Sequence, residues 1–343
     1  MEFLYEYGLF FAKALTFIIA IAIIFGIVAA ATTKGQGADQ GHIEVRKLND
    51  KFDELYHSLR EHIYDKKMLK KLSKQEQKEE KKQKKEDKGQ EEPKRVYVIN
   101  FYGDIKAAET EQLRECVTAV LSVASERDEV VVKLESQGGM VHSYGLASSQ
   151  LARVTKASIP LTVCVDKVAA SGGYMMACVA NKIIAAPFAI LGSIGVLAQL
   201  PNFHKLLKKN DIDYEMYTAG EYKRTVTMFG QNTPKGRKKF MEDLEDTHTL
   251  FKAFITDNRP TVDIDQVATG EIWYGTRALE NGLIDEISTS DEYLFKLRQD
   301  ADLYEVKFVR KISLPKKLGV AVSAAIESSF DRVIEKATTR FWS

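Results

Sequence analysis

The sequence predicts an α/β fold with a mainly parallel sheet, carried on an N-terminal membrane anchor. Three observations lead there. From Val96 onward, strand-type apolar runs alternate with segments of helical spacing. Several of those strands end in short glycine-rich breaks, and a long uncharged apolar run precedes the whole alternation. Strands that alternate with helices build crossover units, in which the helices cover a largely parallel sheet.

The anchor comes first along the chain. Ala14 to Ala31 carries no charge, and the apolar run reaches back to Leu9 with only Lys13 intervening. That length spans a bilayer core. Its Leu, Ile, Phe and Val residues together contribute roughly −3 to −6 kcal/mol to insertion, and Lys13 lies near one end, where it can snorkel. Val28-Ala29-Ala30-Ala31 resembles a signal-peptide cleavage site. The apolar core is too long for that reading, however, and Glu2 and Glu6 stand where a basic cluster belongs. Residues 1–31 are therefore expected to be a retained anchor in contact with membrane lipid. Lys34, Arg46, Lys47 and Lys51 follow it against Lys13 before it, a bias towards a cytoplasmic main domain. Long domains translocate largely regardless of such charge, so the bias is weak.

Residues 32–92 form an amphipathic helix and a charged linker. Leu48, Phe52, Leu55, Leu59 and Ile63 recur at spacings of three and four, which suits a partner helix or a stalk packed on the main domain. Between Ser73 and Glu92, seven lysines are matched by seven acidic residues. This reads as a solvated linker and not as a nucleic-acid arm. Pro93 ends it.

The folded domain takes residues 93–300. Val96–Phe101 reads as a strand closed by Gly103, and Thr110–Ser125 as a helix. Glu129–Glu135 is the next strand, breaking at Ser136-Gln137-Gly138-Gly139, and Val141–Thr155 is helical. Leu161–Val165, Lys182–Ala186, Leu191–Leu197 and Tyr214–Tyr217 have strand character. The apolar stretch from Ile183 to Pro201 could be taken for a second span. Pro187, Gly192, Ser193 and Gly195 interrupt it, and buried parallel strands give equally continuous runs. Residues 301–343 add a strand and a C-terminal amphipathic helix with Leu318, Val322, Ile326, Val333, Ile334 and Phe341 on one stripe. That stripe fits a subunit interface and a helix folded back on its own domain equally well.

Composition narrows the function. The chain has 343 residues, 45% of them hydrophobic, enough for one large domain with appendages or for two domains. Its 49 basic and 48 acidic residues nearly cancel, so no global field argues for nucleic acid. Cys116, Cys164 and Cys178 sit in apolar or helical contexts and read as buried free thiols. No two His or Cys residues show ligand spacing, so neither a metal nor a cofactor is expected.

The chemistry centres on Lys167-Val168-Ala169-Ala170-Ser171-Gly172-Gly173-Tyr174, between an apolar strand and good helix material. An exposed nucleophile at a helix start would face unpaired N–H groups and the positive end of the dipole. On this segment alone Ser171 reads first as a simple N-cap, since serine is among the best caps, and the downstream sequence reverses that order. The break at Gly138-Gly139 is a second place where backbone N–H groups could meet a substrate carbonyl, because glycine lets the backbone approach closely. Lys223 follows the Gly220 turn and, taken alone, reads as a surface charge.

Together these residues resemble the signal peptide peptidase A and SohB family of membrane-anchored serine peptidases. The resemblance covers about residues 94–300. It rests on Gly138-Gly139, Ala170-Ser171-Gly172-Gly173-Tyr174, Gly192-Ser193-Ile194-Gly195-Val196 and Gly220-Glu221-Tyr222-Lys223, with Ile272–Gly275 and Ala278–Asp285 as a closing segment. The anchor and the charged helical insert point to the SohB branch of that family. One departure is Gln137, where the family commonly has proline.

The resemblance implies a ClpP/crotonase-like fold and a Ser–Lys dyad. Ser171 would attack the peptide carbonyl, and Lys223 would take its proton and return it to the leaving amine. A lysine base of this kind must be desolvated to be neutral near pH 7, at a cost of about 4 kcal/mol. Ser193 resembles the serine that orients the lysine. Gly172 with Gly138 or Gly139 would form the oxyanion hole. The family also implies apolar peptides such as residual signal peptides as substrates, a bacterial inner-membrane location with the domain on the periplasmic side, and ring- or dome-shaped homo-oligomers. In single-domain members, the serine and lysine can come from neighbouring subunits. Three alternatives remain. His142 and Asp166 allow a Ser-His-Asp triad to be written, with His204 and His248 reading as surface residues. A crotonase-type acyl-transfer enzyme would share the fold. A non-catalytic membrane scaffold would need neither Ser171 nor Lys223.

Overall fold

A computed structural model of the chain describes residues 7–13, 15–18, 41–86 and 93–310. The alternating pattern becomes a ten-stranded mixed sheet. Strand β1 (Gly41–Lys47) leads directly into helix α1 (Leu48–Ile63), and α2 (Lys66–Glu86) follows. Then come β2 (Lys94–Gly103), α3 (Thr110–Leu121), β3 (Glu129–Ser136), α4 (Val141–Lys156), β4 (Leu161–Val165) and β5 (Val168–Ala170). A short helix α5 (Gly172–Ala177) precedes β6 (Lys182–Ala185) and β7 (Ile190–Gly192). Helices α6 (His204–Lys209), α7 (Pro234–Asn258) and α8 (Ile264–Val267) precede β8 (Ile272–Tyr274) and α9 (Gly275–Glu280). The last elements are β9 (Glu286–Ile287), α10 (Ser290–Leu297) and β10 (Ala301–Arg310).

The main path of the sheet runs β1-β10-β2-β3-β4-β6-β9. It is parallel from β10 to β9, and β8 lies antiparallel on β7. At β3 the sheet forks. Residues Val130–Lys133 pair with β4, while Ser136 pairs with Ala169 of β5. The fork brings the glycine turn after β3 beside the strand that leads into Ser171.

Both faces of the sheet are covered, which explains the unbroken apolar runs. Tyr97, Ile99, Phe101, Val130, Val132 and Leu134 pack on the side of α3, α4 and α5. Val96, Val98, Val131, Cys164 and Ile184 face the other way, towards Leu294 of α10 and Leu48 and Phe52 of α1. Phe52 meets Phe295 edge to face at 5.8 Å, with the Arg298 guanidinium 4.2 Å from the Phe295 ring. The first half of the amphipathic stripe therefore packs on the main domain, as expected, whereas Leu55, Leu59 and Ile63 remain exposed.

The linker region differs from the sequence reading. The helix begins at Leu48, and Gly41–Lys47, within the stretch expected to be helix and linker, is a strand on the edge beside β10. The charged run is helical through Glu86, built largely from Lys, Glu and Gln, which lose little rotamer freedom in a helix. Tyr214–Tyr217 has no regular structure, although its alternation imitates a strand. Residues 7–13 and 15–18 are helical; the rest of the anchor segment and the whole C-terminal stripe lie outside the described residues. Among the described residues, no helix is long and apolar enough to cross a membrane.

Cys116, Cys164 and Cys178 are buried free thiols. Burial pushes the Cys164 and Cys178 thiols up to about 12. Burial outweighs the nearby cations, Lys133 and Lys182 at Cys164 and Arg259 at Cys178, and thiols held protonated in this way are inert, which leaves the serine chemistry without a cysteine rival.

One buried carboxylate makes stability pH-dependent. Burial opposes the charge on Asp128, but the Arg95 guanidinium and the Ser125 amide and hydroxyl outweigh it and hold the carboxyl below its usual range. Arg95 bonds it through Nε at 3.2 Å and Nη2 at 2.9 Å. A carboxyl depressed in the folded state stabilises above its unfolded pKa, and that contribution is lost as the pH falls through the folded value. Unfolding midpoints in urea should therefore decline below about pH 4. Asp128→Asn should lower stability at pH 7 by about 1.5–3 kcal/mol and flatten that decline. An equally steep acid decline in the variant would show that other carboxylates carry it.

Candidate active site

Ser171 ends the run Val168–Ala170 and begins α5, and its backbone is unusual. Its φ of 51° and ψ of −118° lie in a region that residues with a Cβ rarely occupy, at a cost of about 1–3 kcal/mol. The conformation is held from both sides. Ser171 N–H donates to Gly192 O at 2.7 Å, and Ser171 O accepts from Met175 N at 2.9 Å. No cap hydrogen bond involves its side chain. The capping alternative therefore fails, and the hydroxyl is left free at a sharp strand-to-helix turn.

The glycine turn after β3 packs directly on this turn. Gly138 has φ of +87°, and a Cβ there would lie 2.7 Å from Gly172 N and 2.8 Å from Ser171 Cβ. Gly172 in turn carries the Tyr144 ring against its α-carbon, where a Cβ would overlap the ring carbons. Neither position tolerates a side chain, so the two glycine pairs form one close-packed unit.

A small cavity of about 20 Å³ adjoins Ser171, with Gly139, Gly172, Met175, Val196, Thr247 and Phe251 among its walls. Gly138 faces a different space, a groove of about 480 Å³ bordered by Tyr102, Ile105, Glu135 and Val168. Thr247 and Phe251 come from α7, whose sequence gave no sign of a place at the site. Their helix starts with Pro234 after the Thr233 cap, which accepts from Gly236 N at 3.1 Å. The neighbouring His248 is half-buried, and its Nε2 lies 3.2 Å from Ile194 O. It is thus not the simple surface residue that its charged helix suggested.

Ser193 follows Gly192 with φ of 49°, and its N–H donates to Glu271 O at 2.7 Å. Lys223 lies in the irregular segment between α6 and α7 and is exposed. Its backbone N–H closes the turn onto Gly220 O at 3.2 Å. Glu221 pairs with Lys235, and Lys239 Nζ stands 5.7 Å from the Tyr222 ring centre, so the turn is tethered to the start of α7. Lys223 does not border the Ser171 cavity, and among the described residues its amine makes no hydrogen bond to Ser171 or Ser193. Within one chain the structure brings Ser171, Gly139 and Gly172 together and leaves Lys223 outside.

The triad alternative finds no support. Asp166 accepts from the Ser290 amide at 2.7 Å and the Ser290 hydroxyl at 2.5 Å, which fixes the start of α10. His142 is exposed on the first turn of α4, and among the described residues no bond joins it to Asp166 or Ser171. No group of three His, Cys, Asp or Glu residues able to hold a metal ion occurs among the described residues.

Comparison with known proteins agrees with the serine-centred geometry. Residues 2–151 match the family model for the N-terminal region of peptidase family S49, and residues 153–304 match that for peptidase family S49 itself. The probable protease SohB of Haemophilus influenzae is 47% identical, over 99% of this chain and 97% of its own. A probable protease SohB of Buchnera aphidicola subsp. Acyrthosiphon pisum is 48% identical, over 94% of this chain and 95% of its own. Among solved structures, a lysine-to-alanine mutant of the 1510-N membrane-bound stomatin-specific protease, in complex with a substrate peptide, matches 68% of this chain and 99% of its own. Its TM-score of 0.41 and 14% identity are too low to carry an argument about mechanism. Near-complete coverage at such identity, with the strained serine beside two glycine turns, places this chain in peptidase family S49, as a serine peptidase.

Proposed function

We propose that the chain is a membrane-anchored endopeptidase in which Ser171 attacks the scissile carbonyl and Lys223 is the general base and acid. The observation that carries this reading is the Ser171 turn: a strained backbone, a hydroxyl free of capping, and Gly139 and Gly172 on the wall of the adjoining cavity. Attack forms the Ser171 Oγ–C bond as the hydroxyl proton passes to the amine of Lys223. The negative charge gathers on the former carbonyl oxygen, facing backbone N–H groups. Collapse breaks the C–N bond, and the lysine returns its proton to the leaving amine. Water then repeats the sequence on the acyl-enzyme.

A lysine base must be desolvated to be neutral at working pH. An exposed Lys223 in an isolated chain argues that a neighbouring copy completes the site. Exposed Leu197, Leu206, Tyr217 and Tyr222 around that segment offer the apolar surface for such an assembly. We read the forked sheet as a ClpP/crotonase-like fold. The uncharged run from Ala14 to Ala31 supports a single-pass inner-membrane anchor, with the domain on the periplasmic side. The narrow, largely apolar cavity at Ser171 suits small or apolar residues, as in residual signal peptides. An acyl-transfer enzyme or a scaffold would not need a reactive Ser171. Serine-directed fluorophosphonate should label the wild-type protein at Ser171 and leave Ser171→Ala unlabelled. Absence of labelling in active wild-type protein would overturn the assignment.

A further inference from the structure

Beneath the glycine turn lies a buried pair of hydroxyls. Ser136 Oγ and Tyr144 Oη are 2.6 Å apart, and neither residue has an assigned role in the chemistry. Ser136 is the last residue of β3 and 2% exposed; Tyr144 sits one turn into α4 and is fully buried. Around them, Tyr144 Oη lies 2.6 Å from Asp104 O, and Gly138 N–H donates to Ser136 Oγ at 3.1 Å. A longer contact joins Ser136 Oγ to Gly103 O at 3.3 Å.

Counting protons orients the chain. A carbonyl only accepts, so the short bond to Asp104 O takes the single Tyr144 proton. The Ser136 proton must then go to Tyr144 Oη, and the lone pairs of Ser136 receive the Gly138 amide. Donation thus runs in one direction, from Gly138 N–H through Ser136 and Tyr144 to Asp104 C=O. Each member polarises the next in a dry site. The same two loops are joined once more, as Met140 N–H donates to Ile105 O at 2.9 Å.

Two consequences follow for the oxyanion hole. The Gly138 amide is already used, and Gly138 borders the groove and not the Ser171 cavity. Gly139 and Gly172 border the cavity itself. Their relative position depends on the hydroxyl pair, because Tyr144 carries both the end of that chain and the ring that packs on Gly172. We propose that Ser136 and Tyr144 are positioning residues that lock the glycine turn so that the Gly139 and Gly172 amides meet the developing oxyanion. This rests on Ser171 being the nucleophile.

The test uses the full-length protein with the conservative variants Ser136→Ala and Tyr144→Phe, the latter keeping the ring that Gly172 needs. Each should lower kcat on a peptide substrate about ten- to hundredfold while KM changes little. The double variant should lose no more than the worse single, since the two hydroxyls act as one chain. A peptide aldehyde, which forms an oxyanion on Ser171, should lose affinity in parallel with kcat, while the matching peptide amide should bind as before. A purely structural role would lower the urea midpoint and leave kcat per folded molecule and the aldehyde-to-amide ratio unchanged; that result overturns the proposal. If Tyr144→Phe does not accumulate as folded protein, Ser136→Ala decides alone. Ser171→Ala separates the two ideas: activity surviving in it sinks the nucleophile assignment, whereas inactive Ser171→Ala with fully active Ser136→Ala sinks only this one.

Discussion

Ser171→Ala, Lys223→Ala and the double variant should share one residual activity, about ten-thousandfold or more below wild type. In the proposed dyad, nucleophile and base act in the same proton transfer, so removing the second after the first has nothing left to remove. Lys223→Arg should be equally inactive, because guanidinium does not give up a proton at working pH. The comparison with His142→Ala is the discriminating one. His142 is exposed and Asp166 is committed to Ser290, so His142→Ala should keep near-normal turnover. A reversed pattern, with Lys223→Ala active and His142→Ala dead, would remove the dyad. The single variants should fold normally: Lys223 is exposed, and the Ser171 hydroxyl supports no cap.

The parts of this site that the sequence revealed are those whose chemistry is local. Ser171 and the two glycine pairs announce themselves because a strained turn needs small residues in consecutive positions. Even there, the segment by itself reads first as a helix cap, and only the downstream motifs turn the reading towards a nucleophile; the free side chain of Ser171 then removes the cap. Ser136 and Tyr144 were invisible for the opposite reason. One reads as a strand end and the other as a core aromatic, and their bond exists only because β3 and α4 meet across the turn. Thr247, His248 and Phe251 were hidden in the same way, on a helix whose charges suggest solvent on every side. The errors in element type share a cause. Gly41–Lys47 and Tyr214–Tyr217 have patterns that suit either state, and only the presence of β10 beside the first, and of no partner strand beside the second, decides. The charged run up to Glu86 reads as a linker because it has almost nothing to bury, yet its Lys, Glu and Gln content has good intrinsic helix propensity.

Mixing inactive Ser171→Ala and Lys223→Ala chains should restore activity. Lys223 is exposed and outside the Ser171 cavity within one chain, so on the proposed dyad the site would be completed by Ser171 of one copy and Lys223 of the next. In a ring assembled at random from equal amounts of the two variants, a given interface holds the intact pair when one side is Lys223→Ala and the other Ser171→Ala in the right order. That happens at about one interface in four, so recovery should approach about a quarter of wild-type activity. Unequal mixing should lower it symmetrically, because the product of the two fractions sets the yield. The chains must exchange for this to be read, which differently tagged variants pulled down together would establish. The apolar surface around Leu197, Leu206 and Tyr217 supplies a control. Charged substitutions there should abolish recovery and assembly together, and should silence the wild-type chain as well. Hetero-oligomers that form without any recovery would mean that each chain closes its own Lys223 onto its own Ser171. The segment between α6 and α7 would then have to move to bury the lysine, and assembly would have no part in the chemistry.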